Sequence, residues 1–376
     1  MPWSITRLLW FKGAMLTRHG AFFCLEEVSK QQTPIVLSNR RRRAPRERGV
    51  RDKLRLKRAP WGSIDPEMRR TLQLVWLVLA MAGPLQRVWA QDLSPRAYVI
   101  TALHSNAVTL TYSFYDGSLF FNGIVPISDA KGRYSVPIFT LYHSFGLFGH
   151  SANINASLPY AVGNFSGQVT GEQRNLYRSG LLDSTYRLSV NLKGGPAMAP
   201  KEFVKWKQKT LIGASLKIVA PTGQYDPAKL VNWGANRWEF KPELGYSRRR
   251  GNWVLDGYAG IWFYTANPKY FSPPNPKRQT QEPIGSFEGH LSYDVKPRLW
   301  FSLDGNFWFG GVTSLNGISN SSTRQTSSRI GVTGSVPLTK HQSLKCSYNN
   351  GTYIRFGGDY QNLSVAWQYS WLGRPK

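Results

Sequence analysis

Ten charged side chains of mixed sign hold what chemistry this chain offers: Arg187, Lys217, Glu239, Lys241, Glu243, Asp256, Glu288, His290, Asp304 and Arg355. They alternate with apolar neighbours, so an extended backbone turns charge to one face and hydrocarbon to the other. A charge is tolerable on a wet inner face and costly against lipid. These ten are therefore the candidate residues for contacting a solute. Mixed signs predict a salt-bridged interior with a narrow or gated path, and the same pairs could equally hold shape and select nothing.

Catalytic signatures are lacking. The sequence has no phosphate-binding loop, no zinc-protease motif, no nucleophile elbow and no CxxC pair, and its six histidines show no ligand spacing. His104 and Ser105 are adjacent, and adjacent strand residues point opposite ways, so His104 cannot activate Ser105 within one strand. His290 shares a face with Ser292 and Glu288 and could form a relay. The expectation is no enzyme, no metal and no cofactor. A lipid hydrolase with a serine–histidine pair at the rim, and a non-conducting structural or binding barrel, are the alternatives.

The elements that carry these residues are strands. About twelve segments alternate with period two: 107–116, 133–144, 146–159, 182–191, 209–220, 235–247, 251–264, 284–296, 298–310, 325–337, 341–356 and 361–371. In 298–310, Leu299, Phe301, Leu303, Phe307 and Phe309 oppose Trp300, Ser302, Asp304, Asn306 and Trp308. Short links at 248–251 and 296–297 alternate with long polar ones such as 314–328, the habit of barrels with short turns at one rim and long loops at the other. A soluble sandwich would show the same alternation. Export, aromatic weight near strand ends and the repeated count favour an all-β transmembrane antiparallel barrel of about twelve strands.

Export is read from Met68-Arg69-Arg70, the apolar run Leu72–Ala82, and Val88-Trp89-Ala90 before Gln91, the layout of a signal peptide cleaved between Ala90 and Gln91. That run is too short for a membrane-spanning helix. Residues 1–67, with Arg40-Arg41-Arg42-Arg43, are expected to lie outside the mature protein through a misassigned start. The formal charge of +27 invites a nucleic-acid reading. Much of that charge precedes Gln91, however, and residues 91–376 hold 30 Lys and Arg against 15 Asp and Glu. Such a balance suits anionic lipopolysaccharide or anionic solutes, and no nucleic acid is expected. The mature chain keeps one cysteine, Cys346, which permits no intrachain disulfide.

Three stretches carry a family resemblance: Pro200–Trp206 leading into Leu216–Tyr225, then Trp238–Gly245, and the closing Arg355–Gln361 with Val365–Tyr369. They resemble a family of outer-membrane transporters named for the meta-pathway of phenol degradation, over most of residues 95–372. The resemblance implies a barrel in the outer membrane of a Gram-negative bacterium associated with uptake of aromatic or hydrophobic compounds. It brings no catalytic motif and no ligand residues. The expected function is passive or gated passage of small solutes, and the expected partners are outer-membrane lipid and lipopolysaccharide, the solute and the outer-membrane assembly machinery.

Overall fold

The computed structural model describes residues 94–120, 127–272 and 274–373. The segment expected to be a signal peptide, its expected cleavage site at Ala90 and Gln91, and residues 1–67 lie outside that range. Alternation does what the sequence predicts. The strands are β1 (Ser105–Phe120), β2 (Ile127–Leu147), β3 (His150–Val169), β4 (Glu172–Leu181), β5 (Ser184–Lys193), β6 (Thr210–Ala220), β7 (Glu239–Arg250), β8 (Trp253–Tyr264), β9 (Asn267–Tyr270), β10 (Lys277–Gln281), β11 (Ile284–Lys296), β12 (Leu299–Gly310), β13 (Thr313–Leu315), β14 (Ile318–Asn320), β15 (Gln325–Pro337), β16 (Gln342–Ile354) and β17 (Gly357–Leu372). One helical turn, α1 (Pro200–Phe203), interrupts the link from β5 to β6.

Twelve of these strands pair antiparallel in the order β1, β2, β3, β5, β6, β7, β8, β11, β12, β15, β16, β17. β17 then pairs back onto β1 from Ser105–Leu372 to Phe120–Gly357, which closes the barrel and removes both edges. Each barrel strand has at least ten residues, enough for a tilted strand to cross a hydrocarbon core. The faces separate as expected. On β12, Leu303 is 61% exposed and Phe307 and Phe309 are exposed, whereas Ser302, Asp304, Asn306 and Trp308 are buried inside. Large apolar groups exposed all round the wall are costly in water and favourable in lipid.

Tight turns define one rim. Phe148-Gly149 joins β2 to β3 with positive φ at both residues, as a two-residue hairpin with the right twist needs. Gly251-Asn252 and Pro297-Arg298 serve the neighbouring hairpins, with Gly251 and Arg298 also at positive φ. Apart from 194–209, which joins β5 to β6 at the tight-turn rim, the long connections lie at the opposite rim. There β9 and β10 from one loop and β13 and β14 from another form a separate four-stranded sheet. β4 also rises at this rim, pairing with the distal half of β3 while β5 takes the proximal half.

Candidate functional site

The interior has two levels. At the long-loop rim, inward aromatic groups enclose a cavity of about 490 Å³. Tyr115 stacks on Tyr134 at 4.7 Å, and Tyr360 meets Tyr134 edge-on at 4.8 Å. Trp233, from the β6–β7 loop, approaches Tyr134 at 5.4 Å and Phe165 at 5.6 Å. Trp308, Gln325 and Arg329 complete the far wall, and the Arg329 guanidinium lies 5.6 Å from the Trp308 ring. Room is made for these rings by Gly132, where a β-carbon would lie 2.9 Å from Phe165.

Asp183, between β4 and β5, fixes the loop that delivers Trp233. Its carboxylate accepts from the Gly223 N–H at 2.8 Å and from the Ala235 N–H at 2.7 Å. Burial pushes this carboxyl above its ordinary value, and the N–H groups of Ala235 and Gly223 pull back against that.

The second level, towards the short-turn rim, is charged and filled. Lys241 pairs with Glu243 at 2.6 Å and with Glu288 at 2.8 Å, and Arg187 reaches Glu243 at 3.3 Å. His290 hydrogen-bonds Asp304 at 2.8 Å, and Asp304 also accepts from Ser302 and Thr333. Lys217 and Lys241, register partners on β6 and β7, both lie 5.6 Å from the Trp262 ring. Glu239, at the long-loop end of β7 and outside this level, pairs with Arg237 at 3.1 Å.

Nine of the ten sequence candidates therefore stand on inner faces. Arg355 does not: β16 ends at Ile354, which leaves Arg355 exposed in the two-residue turn before β17. The expectation that it projects inward is corrected, because alternation read through the turn assigns it to a strand that has already ended.

Ser94–His104 lies inside the barrel beneath the cavity and was not foreseen as a part of the site. Arg96 forms an ion pair with Asp294 at 2.7 Å, and its N–H donates to Asp256 at 3.2 Å. The Ala97 N–H donates to the Tyr258 hydroxyl oxygen, and the Ala97 carbonyl accepts from Arg187. Tyr98 is fully buried, with its hydroxyl 3.0 Å from both Ser215 and Glu243. Its ring lies against Gly213 and Gly245, register partners on β6 and β7, where any β-carbon would overlap it. Two glycines facing each other in mid-strand are the signal that could have revealed it, since they mark a close approach by another chain segment.

The catalytic pairings fare differently. Ser105 donates its hydroxyl to the Ala102 carbonyl, so it is engaged away from His104. His290 and Ser292 are 1% and 0% exposed, with Ser292 paired to Val254 close to the short-turn rim, so neither side chain is open to solvent.

A closed antiparallel barrel with an apolar outer wall, charged inner face and one rim of tight turns defines a β-barrel protein of the Gram-negative outer membrane. Within that class, the sequence profile of the family described by the MetA-pathway of phenol degradation matches residues 127–360, and this chain belongs to that family. No curated protein sequence matches it. Among solved structures, it resembles an outer-membrane channel from Pseudomonas putida F1, with 19% identity and a TM-score of 0.61 over 74% of this chain and all of that one. The β domain of a Bordetella autotransporter is more distant, at 13% identity and a TM-score of 0.42 over 71% of this chain and all of that one.

Proposed function

We propose that the barrel gives gated passage to small aromatic or hydrophobic solutes, without enzymatic chemistry. The observation that carries this reading is the aromatic-walled cavity at the long-loop rim, set above a lumen filled by Ser94–His104. Offset and edge-on ring contacts are what a monoaromatic guest would extend, at about 0.5–1.5 kcal/mol per pair beyond area burial. The segment beneath is the gate. It meets the wall through an ion pair, scattered hydrogen bonds from Arg96 to His104 and the wedged Tyr98 ring, with no β-ladder, so it can leave without breaking the strand pairing of the barrel. The family description and the channel from Pseudomonas putida F1 support the same reading. The motive force is the solute's own gradient, and the candidate charges on the inner faces shape the path that opens.

Lipid around the wall, lipopolysaccharide at the long-loop rim and the outer-membrane assembly machinery are the partners this reading requires. A non-conducting binding barrel is the second reading, favoured by the filled lower level. The test is entry of a labelled monoaromatic compound into cells making the full chain, compared with cells making Trp233→Ala. Passage predicts faster entry than in cells without the barrel, with most of the gain lost in the variant and no effect on a sugar of similar size. Unchanged entry together with binding of the aromatic to purified protein would favour the non-conducting barrel.

A further inference from the structure

Residues 91–376 carry an excess of positive charge that was expected to meet lipopolysaccharide, and part of that charge gathers at the other rim. At the long-loop rim four cations stand beside carboxylates: Arg133 with Asp116, Arg174 with Glu172, Lys229 with Asp226 and Arg237 with Glu239. Lys277, Arg278 and Arg324 are exposed there and form no ion pair among the described residues. At the short-turn rim, Lys201, Lys205, Lys207, Lys209, Arg248 and Arg250 are all exposed, and none forms an ion pair among the described residues. One exposed carboxylate, Glu202, shares that stretch. β-Pairing brings the group together, because Thr210 opposes Arg248 and the Arg249 N–H donates to the Lys209 carbonyl at 2.8 Å.

Where these cations point decides what they meet. On β7, Leu244, Tyr246, Arg248 and Arg250 form one outward row, with Leu244 61% exposed. Beside it Trp253 and Tyr293, both exposed, pack edge to face at 4.8 Å. Hydrocarbon-facing leucine, then aromatic ring, then arginine is the order of a membrane interface, with the guanidinium at headgroup height. The adjoining loop repeats the pattern, for its lysines flank Val204, 83% exposed, and the stacked Phe203 and Trp206. Exposed apolar groups among cations suit an anionic lipid surface better than a soluble acidic partner.

We infer that this side of the short-turn rim is a binding site for anionic phospholipid headgroups of the periplasmic leaflet. The inference rests on the outer-membrane reading, in which short turns face the periplasm. Lipid phosphates bridge Arg248 and Arg250 on the wall and the lysines of the 200–209 loop, which neutralises their mutual repulsion and seats the loop at the interface.

Native mass spectrometry of the full chain in detergent, offered phosphatidylglycerol or phosphatidylcholine with identical acyl chains, tests this. Each basic residue near an anionic surface strengthens attraction on the order of fivefold. Wild type is expected to retain phosphatidylglycerol at least about tenfold better than phosphatidylcholine. The variant K205Q/K207Q/K209Q/R248Q/R250Q is expected to lose that preference, and K277Q/R278Q at the other rim to keep it. Heat-modifiable gel migration of all three proteins separates this outcome from loss of the barrel. Equal retention of the two lipids by wild type, or an undiminished preference in the five-fold variant, overturns the proposal. So does polyglutamate occupying these residues in place of lipid.

Discussion

Tyr98 can lie against the wall only because Gly213 and Gly245 face each other there. Gly245→Ala puts a methyl group into the ring, and the backbone of a closed sheet cannot retreat, so the segment must leave. The variant is expected to fold and to expose Ser94–His104, read as faster proteolysis at Arg96. Lys241 behaves differently, since it neutralises Glu243 and Glu288 in the filled level. Lys241→Ala takes the lysine from buried Glu288 and leaves Glu243 to Arg187 alone, and should cost about 3–5 kcal/mol, measurable as an earlier urea midpoint. Asp183→Ala strips acceptors from the N–H groups of Gly223 and Ala235, at about 1–3 kcal/mol for each one left buried and unpaired, and should loosen the loop bearing Trp233. Because burial raises the Asp183 carboxyl, the folded loop keeps a proton that the unfolded chain has already released. Its contribution is therefore greatest below the ordinary carboxylate value and falls as pH rises through the folded one. Amide protection at Gly223 and Ala235, taken relative to the intrinsic exchange rate at each pH, should fall over that window in wild type and lose the trend in Asp183→Ala.

At the scale of elements, strands were legible wherever lipid lies on one side and polar lumen on the other, because that contrast writes a period of two into the sequence. β11 and β15 fall on the segments read from alternation, and β12 and β6 within a residue of theirs. β4 escaped because Glu172, Gln173, Arg174 and Asn175 are all exposed above the lipid band, where both faces meet water and no alternation is required. The small sheet of β9, β10, β13 and β14 escaped for the same reason. Ser94–His104 has no periodicity, since its partners are individual side chains of several strands in place of a ladder. Its removal should leave the barrel intact, because closure rests on the continuous β1–β17 pairing. A chain lacking residues 94–103 is expected to keep heat-modifiable migration; loss of it would make the segment a folding element.

For the whole molecule, the inner charges were legible as a set while their role was not. Alternation states that Glu243, Glu288 and Asp304 face inward, but only the closed sheet brings Lys241 between the first two and His290 against the third. The aromatic cavity was illegible, since its rings come from β1, β2, β3, β17 and a loop far apart in the chain. The resulting molecule places an aromatic-walled cavity at one end, the Ser94–His104 segment beneath it and a cationic patch on one side of the other. The most direct test is single-channel recording in planar bilayers, wild type beside Gly245→Ala. Wild type should be silent for most of the record, and the variant should show frequent discrete steps. Equal conductance in both proteins, or silence in both, would contradict a lumen gated by Ser94–His104.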